Sequence, residues 1–125
     1  MAIAAHLRHL GHDVLTTHLL ADDVEATESA LSEREVFLRD VEWLSQCDVL
    51  VAEASGSSFG VGFEVGYVLG RADRTGQRVL LLYEAARESS VSRLIVGNCD
   101  PACTTFAYRS VEEIPAFLER YVSSL

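Results

Sequence analysis

Cysteine is scarce in this 125-residue sequence, with only Cys47, Cys99 and Cys103. An odd, sparse set excludes a disulfide-built scaffold, and a chain of this length buries about two-thirds of its unfolded surface and needs no staples. Cys99 and Cys103 have a loosely metal-like spacing, but no second Cys/His pair follows, so no metal site is expected. Long apolar runs are lacking too. None approaches the roughly 18 residues that argue for a membrane span. The first ten residues break their apolar pieces at His6, Arg8 and His9 and show neither a basic leader nor a long apolar core. The expected setting is therefore the cytoplasm, with the nucleus also open. Basic charge is in deficit: the formal net charge is -9. Such a field repels a phosphodiester backbone and argues against a nucleic-acid polymer as partner. It does not exclude one nucleotide, because a local cluster of N–H groups and hydroxyls can hold a single phosphate.

What is present is ordinary globular composition, 49% hydrophobic and 23% charged, which excludes a disordered chain. No repeat, linker or low-complexity stretch interrupts it, so one domain spanning residues 1–125 is expected. Ile3, Ala4, Leu7 and Leu10 recur at helical spacing and Gly11 stands where a helix-terminating glycine belongs. Residues 12–19 carry β-formers and read as a short strand, and residues 21–30 as a polar loop. Ser32 and Glu35 have capping-box spacing ahead of a mostly buried helix through Val36, Leu38, Val41, Trp43 and Leu44. The nearly continuous apolar runs 48–54 and 78–83 read as strands covered on both faces. Between them, residues 60–74 read as a helix. A short helix is expected over 92–96, a last strand over 104–108 and an amphipathic helix over 111–121. This alternation predicts an α/β fold with a parallel sheet.

In such sheets ligands sit beyond the carboxyl ends of the strands. That position here is the segment SGSSFGVGFEVG, residues 55–66. Gly56, Gly60 and Gly62 allow close backbone approach, Ser57 and Ser58 supply hydroxyls, and the following helix offers N–H groups to an anion. The same composition also suits a simple turn. Glu64, expected in the first turn of that helix, is held ionised by the helix dipole, as a nucleophile must be. Good helix design alone also puts glutamate there. Asp40 is the second carboxylate. Glycosidic cleavage through a covalent intermediate takes two, one to attack and one to manage the leaving group's proton. Glu42 and Glu53 are rivals that spacing does not rank.

The stretch RDVEWLSQCDVLVAEAS, residues 39–55, followed by SFGVGFEVGYVLG, residues 58–70, resembles the 2'-deoxynucleoside 5'-phosphate N-hydrolases, relatives of the nucleoside 2-deoxyribosyltransferases. The resemblance continues through RVLLLY and through SRLIVG, residues 92–97. It implies a flavodoxin-like (Rossmann-type) three-layer α/β sandwich and an N-glycosidase that needs no cofactor or metal. By position, Glu64 matches the family nucleophile and Asp40 the aspartate that assists departure of the base. Ser58 and Gly60 match the phosphate-binding loop, with Gly62 close behind. Ser92 matches a serine that reaches a phosphate in the neighbouring subunit's site, so a homodimer is implied. The transferases carry an aspartate six residues before the nucleophile, suited to a free 5'-hydroxyl. Ser58 stands there in this chain and can donate to a phosphate that an aspartate would repel, favouring deoxynucleoside monophosphates over nucleosides.

Relatives in the resembled family open with a β-strand, a Gly-Ser loop with an arginine, and an aromatic that orients the nucleophile. This sequence starts at the helix after them. A flavodoxin-like sheet with its first strand missing is therefore expected, with a gap of about 10 Å between the flanking strands. Base exchange between deoxyribosides, and nucleotide sensing without turnover, are the rival functions. The first would share Glu64, and a missing first strand would favour the second.

Overall fold

The computed structural model describes residues 2–14, 30–56 and 59–125. Its helices are α1 (Ala2–His9), α2 (Glu33–Gln46), α3 (Phe59–Leu69), α4 (Ala72–Thr75), α5 (Arg93–Val96) and α6 (Ile114–Ser123). Its strands are β1 (Val49–Glu53), β2 (Arg78–Glu84) and β3 (Cys103–Tyr108). Short 3₁₀ turns cover Ala85–Ser90 and Val111–Glu113. The chain divides into two compact units, Met1–Trp43 with Glu112–Leu125, and Leu44–Val111, so the boundary falls within α2.

In the first unit, α1 ends as its sequence suggests. Gly11 takes φ 92°, His12 N–H donates to the Leu7 carbonyl and Gly11 N–H to the Arg8 carbonyl. This doubled closure satisfies carbonyls that the helix end would leave bare, and a residue without a β-carbon makes it cheap. The Ser32–Glu35 capping box forms reciprocally: Ser32 N–H donates to Glu35 Oε1 at 3.0 Å and Glu35 N–H to Ser32 Oγ at 3.1 Å. These bonds hold the Glu35 carboxyl below its ordinary pKa. In α6 the residues Ile114, Leu118 and Tyr121 are buried at helical spacing. Of the strand expected over residues 12–19, His12–Val14 are not in a strand and the rest lies outside the described residues.

The second unit holds the sheet, parallel throughout and ordered β1-β2-β3. Val49 pairs with Arg78 and Glu53 with Leu82, while Val79 pairs with Cys103 and Glu84 with Tyr108. Val79, Leu80, Leu81 and Leu82 are fully buried, as expected of a strand covered on both faces. β1 departs from that expectation: all five of its residues are only half-buried. Among the described residues it has a neighbour on one edge alone, and its apolar run marks a less enclosed place than β2 holds.

The helix expected over 60–74 is broken in two. After Leu69 the backbone tightens, with Arg71 N–H reaching the Val68 carbonyl, and α4 restarts at Ala72. Gly70 stands at the break, where a residue without a side chain weakly resists a change of backbone. Helix α3 itself carries glycine at 60, 62 and 66, each worth about 1 kcal/mol less than alanine in a helix interior. Packing offsets that weakness. Val65 and Val68 join Leu44, Val79 and Leu81 in the core, with Val61 and Tyr67 against it.

The carboxyl end of α2 is finished by a side chain distant in sequence. The buried Gln77 amide donates to the Leu44 carbonyl at 2.6 Å and to the Cys47 carbonyl at 2.8 Å. No helix among the described residues is long and apolar enough to cross a membrane. Gln77→Glu is expected to cost about 2–4 kcal/mol, because a carboxylate places negative oxygens against those buried carbonyls instead of N–H donors. Urea unfolding checks this, with Gln77→Leu losing less.

Candidate active site

The carboxyl ends of β1, β2 and β3 fall at Glu53, Glu84 and Tyr108. Ala54 N–H still donates to the Leu82 carbonyl at 2.7 Å, and beyond it the chain leaves the sheet. Two side chains take up the polar groups freed there. Glu53 Oε1 accepts from Ser55 N–H at 2.6 Å, and Ser55 Oγ accepts from Glu84 N–H at 2.7 Å. Ser55 Oγ–H donates to Glu53 Oε2 at 2.8 Å, and Tyr108 O–H donates to the same oxygen. Burial, then the bond to Glu53, pushes the Tyr108 phenol above its ordinary pKa. It therefore remains a donor at neutral pH.

This network engages Glu53, one of the rival carboxylates. Glu53 spends most of its lone pairs on three donors and has little acceptor capacity left. Its place at the end of an apolar run was visible in the sequence, whereas its bond to Tyr108, 55 residues away, was not.

Gly56 is exposed just past this point, and Ser57 and the predicted phosphate ligand Ser58 lie outside the described residues. Gly60, Gly62 and Glu64 share α3. A β-carbon added at Gly56 or Gly62 would meet nothing within 4 Å, and neither has a positive φ. Packing among the described residues requires glycine at neither position, and both leave the backbone open to close approach.

Glu64 is not where the dipole argument needs it. Helix α3 starts at Phe59, Glu64 is its sixth residue, and the first turn holds no acidic group. The dipole's influence falls off within one turn, so it does not account for an ionised Glu64. Another feature distinguishes this glutamate. Val61, Glu64, Val65 and Val68 have the i, i+3, i+4, i+7 spacing of a core stripe, and three of them pack in or against the core. Glu64 is a half-buried carboxylate in a stripe otherwise made of valine. A charge at such a position is costly unless something is gained from it. Its influence reaches Cys47, whose thiol is pushed above its ordinary pKa mainly by burial and least by the Glu64 charge.

Asp40 belongs to the other unit. Its Oδ1 accepts from Arg39 Nε at 2.9 Å and lies 2.8 Å from the guanidinium's NH2 group. The same guanidinium lies 4.7 Å over the Trp43 ring. The ion pair with Arg39, itself stacked on Trp43, restrains the carboxylate. Ser92 caps α5, its Oγ accepting from Leu94 N–H at 3.2 Å, which leaves its own hydroxyl proton for another acceptor. No group of three His, Cys, Asp or Glu side chains that could hold a metal occurs among the described residues.

All three cysteines are free, and only Cys99 is exposed. Burial, then the Asp100 charge, pushes the Cys103 thiol up to about 11. A raised thiol pKa favours the protonated folded state, so the associated stability is whole below about pH 9 and is lost as pH rises through the folded value. Alkylation at pH 8 is therefore expected to label Cys99 first, with Cys47 and Cys103 slower by at least about tenfold. Peptide mass mapping over time checks this order.

Comparison with known proteins accords with this geometry. The family model of the nucleoside 2-deoxyribosyltransferases matches residues 1–104. A Thermofilum pendens protein provisionally named 2'-deoxynucleoside 5'-phosphate N-hydrolase 1 is 44% identical over 107 residues, covering 86% of this chain and 71% of that protein. The human 5-hydroxymethyl-dUMP N-hydrolase is 36% identical over 121 residues, covering 95% of this chain and 67% of its own length. The parallel sheet, the glycine-bearing segment beyond β1 and these matches together make this flavodoxin-like α/β chain a member of the nucleoside 2-deoxyribosyltransferase family.

Proposed function

We propose that this chain, read as one domain over residues 1–125, is an N-glycosidase that hydrolyses 2'-deoxynucleoside 5'-monophosphates to the free base and 2-deoxyribose 5-phosphate. The observation that carries this reading is Glu64, a carboxylate in the valine stripe of the helix that follows the glycine-rich turn. Relatives named for hydrolysis of deoxynucleotides support the substrate class.

Glu64 attacks C1' of the deoxyribose as the bond to the base nitrogen breaks, and Asp40 supplies the proton that the departing base takes up. The glycosyl ester on Glu64 is then opened by water, which returns a proton to Asp40 and a hydroxyl to the sugar. No redox group enters this balance, and the chemistry needs neither cofactor nor metal. Ser58 and the first N–H groups of α3 hold the 5'-phosphate, with the glycines at 56, 60 and 62 letting it approach the backbone. The protein works as a cytoplasmic homodimer in which the Ser92 hydroxyl reaches the phosphate bound by the other subunit.

Base exchange, the reaction for which the family model is named, is the second reading. It would use the same glycosyl-enzyme with a second base in place of water. Ser58 argues against it, since it stands where the transferases carry an aspartate.

Glu64→Gln is expected to lower turnover at least about 10³-fold while deoxynucleotide binding persists, because the amide keeps the size but cannot attack. Base release at a near-normal rate would remove Glu64 from this role. Ser58→Asp brings a carboxylate to about 4 Å from a dianion, worth about 4 kcal/mol per charge pair at an effective dielectric near 20. Turnover of a deoxynucleotide should fall about 10³-fold relative to its nucleoside. The ratio of the two kcat/KM values measures this, and an unchanged ratio would mean that the phosphate binds elsewhere.

A further inference from the structure

The Glu53 carboxylate sits where the three strands end and bonds, directly or through one hydroxyl, to groups from each. Ser55 N–H and Ser55 Oγ–H follow β1, Glu84 N–H ends β2 and reaches Glu53 through Ser55 Oγ, and Tyr108 O–H ends β3. The Glu84 N–H donates to Ser55 Oγ, the Ser55 hydroxyl donates to Glu53, and Tyr108 donates from the other side. Ser55 and Tyr108 are 5% and 7% exposed, too little for water to replace a lost partner.

We propose that Glu53 is a positioning residue for the 5'-phosphate end of the substrate, setting through Ser55 and Tyr108 the direction in which the chain leaves β1 toward the phosphate-binding turn. This rests on the function proposed above. The two groups that Glu53 and Ser55 capture, Ser55 N–H and Glu84 N–H, are those released when β1 stops pairing with β2. The clamp therefore acts at the departure point rather than within the sheet. Only three positions of sequence, 56–58, separate Ser55 from the start of α3, whose first N–H groups belong to the proposed phosphate site. Glu64 is anchored separately, because Val61, Val65 and Val68 hold α3 in the core. Loosening the clamp acts on the exit from β1 at the phosphate end of the site, while the part of α3 that carries Glu64 keeps its place in the core. Its signature is a KM effect rather than a kcat effect.

The test compares wild type with Glu53→Gln, which keeps the size but loses half of its acceptor capacity, using the four common 2'-deoxynucleoside 5'-monophosphates. KM is expected to rise about tenfold with kcat within about threefold, and inorganic phosphate should weaken as a competitive inhibitor by the same factor. Ser55→Ala should behave alike and Ser55→Thr, which keeps the hydroxyl, should restore the wild-type KM. Tyr108→Phe removes a single bond and should raise KM about threefold, so the proposal remains testable if Glu53→Gln fails to fold. A lowered melting temperature with unchanged KM would make the network purely structural and overturn the proposal. So would a loss confined to kcat. If wild type releases no base from any of the four nucleotides, the hydrolytic reading fails by itself. Calorimetric titration of the same nucleotides into wild type and Glu53→Gln then decides the clamp. About tenfold weaker binding upholds it, and equal affinity, or no binding to either, overturns it.

Discussion

Backbone polar groups sealed from water must be paired, and in this chain the demand falls hardest on β2. Val79 to Leu82 have no access to solvent, so each of their N–H and C=O groups needs a partner from β1, β3 or a side chain. Both ladders exist to meet that demand, and the places where they stop shape the rest of the second unit. At the amino end Arg78 N–H is met by the Asp48 carbonyl, and Gln77 just before it turns its amide to the last carbonyls of α2. At the carboxyl end the Ser55 hydroxyl substitutes for a strand that has already turned away. The candidate active site thus begins where a hydrogen-bonding requirement of the sheet is handed from backbone to side chains.

Features resting on near neighbours were legible in the sequence. The Ser32–Glu35 box and the Gly11 terminus are contacts among residues a few positions apart, and residue type and spacing specify them almost completely. The apolar run at β2 was equally plain. The similar run at β1 misled, because an apolar strand states a capacity for burial, and among the described residues β1 has a neighbouring strand on one edge alone. Helix α3 was right in kind but wrong at both ends. It starts one residue earlier than its glycines suggested and stops at Gly70, and those shifts move Glu64 out of the turn where the dipole would act.

The site was less legible for a related reason. Glu53, Ser55, Glu84 and Tyr108 come from three strand ends, and no periodicity links them. Glu64 was identifiable through the resemblance of its surrounding motif, yet the structural reason for noticing it is different: it interrupts a valine stripe. That pattern was present in the sequence and becomes visible once the helix start is fixed.

The open space around Gly62 brings helix stability and the proposed substrate contact together at one atom. A methyl group there touches nothing among the described residues, and alanine would strengthen α3 by about 1 kcal/mol through helix propensity. Selection for thermal tolerance alone would accept that exchange readily. A ligand lying against the same backbone would meet the methyl group at once. If substrate lies there as proposed, a stability-guided redesign would be drawn to the position where the ligand needs the chain bare, and would harden the fold by closing its site.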